Sequence, residues 1–223
     1  MERVYGLMLV MTVTFLFLVS YASAQPQIPA GIAPDSFLYG LDVAIDQIRL
    51  LLTFDAGAKA RLGLQIAEER LLEVREMVLQ NKLDAAQTAQ REHVNNLETV
   101  KNSIKALQRA NSTQEIEEEV ELEKELEEYE SKVEKVQDEL KIKIEVKGGL
   151  TVEQEALVSS ILAFMQNKTG EVKIEIDNKK GETKIKIKQE TGKSDEEIKD
   201  EIEEIEDERG LTCLLYTSPS PRD

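Results

Sequence analysis

Two stretches of this chain repeat their apolar residues in alternating steps of three and four, and that spacing limits what they can fold into. The first series is Leu83, Ala86, Gln90, His93, Leu97, Val100, Ile104 and Leu107; the second is Leu122, Leu126, Tyr129, Val133, Val136 and Leu140. On an α-helix such positions fall on one narrow stripe, the seam of a coiled coil or helical bundle. Upstream, Ala60, Leu64, Ala67, Leu71, Val74 and Val78 share one face of a helix that ends near Gln80. Asp55 is its expected N-cap, and Asn81 and Lys82 make a turn. A short turn between two such helices favours an antiparallel hairpin. Leu41, Ile45, Ile48 and Leu52 mark an earlier helix, capped by Asp35 or Ser36, whose apolar face is expected to cover the open side of that hairpin. The composition agrees with long helices, since charged residues make up 32% of the chain, aromatics only 4%, and Trp is absent.

After Leu140 the period changes. Ile142, Ile144 and Val146 alternate with Lys141, Lys143, Glu145 and Lys147, and Gly148 and Gly149 end the run. Alternation of this kind predicts a half-buried strand. Thr151 and Gln154 can form a capping box for a helix carrying Leu157, Val158, Ile161, Leu162 and Met165, closed by Gly170. Val172, Ile174 and Ile176, a turn over 177–181, then Ile185 and Ile187 predict a hairpin. The unit reads as β-α-β-β. Its other face carries Lys173, Lys184, Lys186 and Lys188, read as a solvated face that protects strand edges rather than a surface for an anionic ligand. Ser194 and Glu197 open a last acidic helix with Ile198, Ile202 and Ile205 in steps of four and three.

Both ends have to be set aside before fold reasoning. Residues 1–24 read as a secretory signal peptide: Arg3 gives the positive start, Gly6 to Val19 is nearly all apolar, and Ala22-Ser23-Ala24 fits a cleavage site, so cleavage is expected between Ala24 and Gln25. At the other end, residues 210–223 break abruptly from the charged helical pattern and resemble translated sequencing-adaptor read-through. They contain Cys213, the one cysteine, so no disulfide is expected between residues 25 and 209.

The net charge of −16 is carried in blocks. Residues 25–114 hold 10 basic and 11 acidic residues, 115–140 hold 3 and 13, 141–193 hold 11 and 8, and 194–209 hold 2 and 10. Acidic blocks of this kind repel a phosphate backbone, so no nucleic acid is expected as a partner. Like charges at i,i+4 also weaken an isolated helix, so the 115–140 segment needs something to lean on: its own helices, a second copy or a basic surface.

Pro34-Asp35-Ser36-Phe37-Leu38-Tyr39-Gly40-Leu41, Leu51-Leu52-Thr53-Phe54-Asp55, Ala58-Lys59-Ala60-Arg61-Leu62 and Ala67-Glu68-Glu69-Arg70-Leu71 together resemble the DUF5667 domain family over about residues 34–110. Gly57 stands where the family often has a helix-opening pair such as Pro-Glu. The resemblance implies a helical extracytoplasmic domain of bacteria or archaea, with no assigned biochemical function and no catalytic residues to carry over.

The expected fold is mainly α: a helical hairpin or bundle plus an acidic coiled-coil helix, followed by a small α+β (β-α-β-β) module. The expected division is 1–24 signal peptide, 25–34 Pro-rich linker, 35–110 helical DUF5667-like domain, 111–140 acidic coiled-coil connector, 141–193 β-α-β-β module, 194–209 acidic helix and 210–223 non-native tail. No Ser/His/Asp set, phosphate loop or metal-ligand spacing is present, and the only histidine, His93, lies in a seam, so it reads as structural. No enzyme and no cofactor are expected. Asn111 and Asn167 match the N-glycosylation pattern. The functional expectation is a secreted or cell-envelope protein that is structural or binds a protein partner, or itself, through its helices. A membrane is expected only through an uncleaved signal segment or a missing C-terminus. The alternatives are an envelope ligand-binding module or an acidic cation-binding protein.

Overall fold

The structure, a computed structural model, describes residues 32–147 and 150–208. The chain is mainly α: the described residues form six helices and no strand. These are α1 Tyr39–Leu52, α2 Ala56–Leu79, α3 Leu83–Lys105, α4 Ser112–Lys147, α5 Val152–Thr191 and α6 Asp195–Glu208.

Local signals start and stop several of them. The Asp55 carboxylate accepts from the Ala58 N–H at 2.8 Å and caps α2. Asn81, with φ of 61°, turns the chain between α2 and α3. Thr151 and Gln154 close a reciprocal capping box on α5, and Gly192 ends that helix with φ of 69°. Ser194 and Glu197 make the same reciprocal pair ahead of α6.

Helices α2 to α5 form the core. α2 packs against α3 and α4, and α5 packs against the same two helices from the other side. Buried residues of α2 and of both seams meet in one cluster, among them Leu71, Val74, Leu97, Val100, Leu126, Val133 and Leu140. Gly63 permits the close approach of α2 and α3, since a Cβ there would lie 2.7 Å from the Val100 side chain.

Ion pairs along the helix flanks give the directions of the chains. Arg61 to Glu125, Lys132 to Glu68 and Arg75 to Glu139 all join residues 64 apart, so α2 and α4 run parallel in a fixed register. Lys101 to Glu171 and Lys168 to Glu98 join residues 70 apart, so α3 and α5 are parallel too. Lys173 to Glu130 and Lys180 to Glu123 descend one helix while climbing the other, which makes α4 and α5 antiparallel. Residues 106–111 therefore carry the chain diagonally across one end of the bundle, between two helices that are not neighbours. α6 lies at the far end of α5, where Ile198 and Ile202 pack on Ile116 and Ile187.

Two expectations are overturned. The β-α-β-β module over 141–193 is absent: residues 141–147 are the end of α4, and residues 152–191 are one continuous helix. In α5 the buried positions are Val158, Ile161, Leu162, Met165, Thr169, Val172, Ile176, Lys179, Lys180, Thr183 and Ile187, which is a helical seam. Its polar members, Thr169, Lys179, Lys180 and Thr183, conceal the period, while Ile174 and Ile185 supply a false alternation and stand 61% and 60% exposed. Gly170 does not close the helix and lies within it.

The second correction concerns α1. Leu41, Ile45, Ile48 and Leu52 do not cover the hairpin; they face outward, and Tyr39, Asp46 and Leu50 face in. The reason lies in the ionic contacts beneath this helix.

Candidate functional site

Between α1 and α2 the Arg70 guanidinium is 1% exposed and is surrounded by carboxylates. It donates to Asp42 at 2.7 Å, Asp46 at 2.6 Å and Glu73 at 2.6 Å. The Tyr39 hydroxyl donates to the other oxygen of Glu73 at 3.1 Å, and the tyrosine ring lies 5.2 Å from the guanidinium carbon. Arg49 reaches Asp46 from the outer side at 3.0 Å. Burial pushes Glu73 up to about 7, against the pull of Arg70 and the Tyr39 hydroxyl. Contact with its acidic neighbours holds Arg70 above its ordinary value despite burial.

This cluster fixes the rotation of α1. Tyr39, Asp42 and Asp46, three and four residues apart, form one stripe, and satisfying Arg70 requires that stripe to face α2. The opposite stripe, Leu38, Leu41, Ile45, Ile48 and Leu52, is then left in solvent. Leu51 widens it, and Phe37 and Phe54 flank it at 93% and 90% exposure. A helix with its acids inside and most of its large apolar residues outside is the reverse of the usual amphipathic arrangement.

Beside the cluster lies a cavity of about 80 Å³ lined by residues including Val43, Gln47, Ile66, Asn95 and Thr99. It is well below the roughly 300–1,000 Å³ of an ordinary small-molecule site. Among the described residues, no group of three or more His, Cys, Asp or Glu side chains is placed to hold a metal ion. No described helix is long and apolar enough to cross a membrane.

Other buried polar groups sit within the bundle. His93 is fully buried, and its Nε2 forms a hydrogen bond with the Tyr129 hydroxyl, while its Nδ1 has no partner among the described residues. Burial pushes His93 down to about 3, so it is neutral. At the other end of the bundle, Glu115 accepts from Lys186 at 2.7 Å. Thr183 donates to the neighbouring Glu119 at 2.7 Å, whose second oxygen has no partner among the described residues. Burial pushes Glu119 up to about 7.

The second seam, Leu122, Leu126, Tyr129, Val133, Val136 and Leu140, is buried inside this bundle. The acidic block of α4 leans on its own chain: Arg61 contacts Glu118, Glu121 and Glu125, and Lys173, Lys180 and Lys186 approach from α5. The lysines assigned to an exposed strand face are thus largely committed, with Lys188 on Asp195. Asn111 is exposed just before α4, and its side-chain oxygen accepts from the Gln114 N–H. Asn167 lies in mid-α5, away from any loop, and its amide contacts Glu171. Ala24 and Gln25, and the tail over 210–223, lie outside the described residues.

The residues that shape this site, Arg70, Glu73, Tyr39, Asp42 and Asp46, were not singled out by sequence reasoning. The signal was present: a polar stripe in steps of three and four on α1, and an Arg–Glu pair three apart beside an apolar face on α2.

Residues 31–143 match the family model described as a domain of unknown function, DUF5667. The chain belongs to the DUF5667 family. The match takes in α1, α2, α3 and most of α4, so the DUF5667 region reaches well past residue 110 and includes the acidic helix. The Arg70 cluster and the outward face of α1 both lie within it. No curated protein and no solved structure matches the chain.

Proposed function

We propose that this DUF5667 protein is an exported, non-catalytic helical protein that works through protein–protein contact, with α1 as its docking element. The observation that carries the reading is the outward apolar face of α1, held in place by the Arg70 cluster. A soluble monomer rarely leaves a continuous apolar patch of this size in water, and larger patches mark interaction sites. The bundle beneath α1 supplies a rigid platform, so little ordering entropy opposes docking. Export is supported by the signal-peptide pattern of residues 1–24. The non-catalytic reading is supported by the surroundings of the perturbed groups: Glu73, Glu119 and His93 are buried by packing, and the cavity beside the Arg70 cluster, at about 80 Å³, is small for a substrate.

The test is photo-cross-linking in the producing cells, with a photoactivatable amino acid at position 48 and, as a control, at exposed position 135 on α4. A discrete protein adduct from position 48 alone is the expected result. Adducts from neither position, or equally from both, would remove α1 as the docking element.

A further inference from the structure

We infer that the partner of α1 is a second copy of this chain, bound α1 to α1 across a two-helix seam. The inference rests on the proposed docking role of α1 and names its occupant. Leu38, Leu41, Ile45, Ile48 and Leu52 repeat in steps of three, four, three and four, and all five are exposed. That is the spacing by which one helix interlocks with another, knobs into holes. A lipid surface needs no such register, and it is served by Lys and Arg along the flanks of an amphipathic helix. α1 has Arg49 as its single basic residue, already engaged with Asp46, and its two acids face Arg70.

The area agrees with a dimer. With side chains on the order of 200 Å² each, the five seam residues present roughly 500 Å² of apolar surface, and Phe37, Leu51 and Phe54 at its margins bring the total to about 1,000 Å². A standard stable interface takes about 800 Å² from each partner. Two heptads of coiled coil would be marginal as free peptides, since ordering a short helix is costly. Here each α1 is already folded and oriented by Asp42, Asp46 and Tyr39, so the cost of ordering has been met before the copies meet.

Charge allows the approach. The acidic blocks that make the chain −16 lie in residues 115–140 and 194–209, whereas residues 25–114, which contain α1, hold 10 basic and 11 acidic residues. Two copies meeting through α1 therefore bring together their nearly neutral portions. The acidic segments still repel one another at longer range, so added salt should tighten the dimer by screening them.

The experiment is sedimentation equilibrium and light scattering on the chain recovered after export, over a range of protein concentration and salt, for the parent, Ile48→Glu and Ile142→Glu. Ile142 is a comparably exposed isoleucine on α4 and controls for loss of surface apolarity. Circular dichroism and thermal melts establish that each variant is folded. Expected are a dimer for the parent and Ile142→Glu, and dimerisation weakened at least about tenfold in Ile48→Glu with an unchanged melt. A parent that stays monomeric overturns the inference, as does an Ile48→Glu chain that dimerises as well as the parent. Flotation with phosphatidylcholine and phosphatidylglycerol vesicles reads the other occupant: a monomer that floats, and is released by Ile48→Glu, assigns the face to lipid and overturns self-pairing. The mass of the position-48 cross-link separates the two levels of the argument. Twice the chain mass supports self-pairing, another discrete mass overturns it while leaving α1 as a docking element, and no adduct removes both.

Discussion

Arg70 is enclosed with Glu73, Asp42 and Asp46, and the consequences of removing it follow from what stays behind. In Arg70→Met, Glu73 remains as a fully buried acid with only the Tyr39 hydroxyl as partner. Breaking a buried pair by deleting one member costs about 3–5 kcal/mol, and a loss of that size is expected in urea unfolding of Arg70→Met. Replacing the pair together, as Arg70→Met with Glu73→Leu, should recover part of it, because the fully buried Glu73 charge is gone while Asp46 keeps Arg49 and Asp42 is partly exposed. Glu119 makes a second residue-level case. Its folded pKa is raised to about 7 from 4.5, so the folded state holds a proton that the unfolded chain has released. The stability it contributes is complete below about pH 4.5 and is lost as pH rises through 7. His93 has the opposite sign: its folded pKa is lowered to about 3, so its contribution is complete above 6.5 and is lost as pH falls. Comparing the parent with Glu119→Gln cancels His93 and Glu73. Glu119→Gln should be the more stable protein at pH 8 by about 1–3 kcal/mol, and the gap should narrow as pH falls through 7 and close below about pH 4.5.

At the scale of elements, α5 is where the sequence and the structure part, and Gly181 distinguishes them. In the predicted hairpin this glycine closes a turn, where a left-handed conformation would penalise any other residue. In the structure it lies inside α5, it is not among the positive-φ residues, and an added Cβ would meet nothing within 4 Å. Gly181→Ala is therefore expected to stabilise the chain by about 0.5–1 kcal/mol in thermal or urea unfolding, where the turn reading demands a loss. The seams of α3 and α4 were legible because their apolar residues are nearly unbroken, and the Asp55, Thr151 and Ser194 caps were legible because capping depends on a few adjacent residues. The α5 seam was not, because Lys179, Lys180 and Thr183 hold buried positions through partners on other helices, such as Glu119 for Thr183 and Glu123 for Lys180, and Thr169 does so by donating to the Met165 carbonyl one turn back. The orientation of α1 was hidden for a related reason. An apolar stripe reads the same whether it faces in or out, and the decision rests with Arg70, a residue 24 positions beyond its partner Asp46.

For the whole molecule, the arrangement of helices is carried by pairings far apart in sequence, and these can be read directly. A carbodiimide joins a lysine to a carboxylate only when the two are in contact, so mass spectrometry of the cross-linked chain should recover Lys132–Glu68, Lys101–Glu171 and Lys180–Glu123. The first reports that α2 and α4 are parallel, the second reports the same of α3 and α5, and the third reports that α4 and α5 are antiparallel. A simple up-and-down bundle, with α3 beside α4 and α2 beside α5, has no place for the first two links. The partly exposed pairs Lys132–Glu68 and Lys101–Glu171 are each worth at most about 1 kcal/mol, and less in salt, and in the largely buried Lys180–Glu123 pair the cost of desolvation offsets the attraction. They are therefore better understood as selecting register than as supplying stability, which comes from the buried seams. A melting temperature that changes little between low and high salt, together with an unchanged set of cross-links, is the expected outcome. Unfolding in high salt would show instead that the acidic α4 is held in the bundle chiefly by charge, and the buried seam would lose its place as the main source of stability.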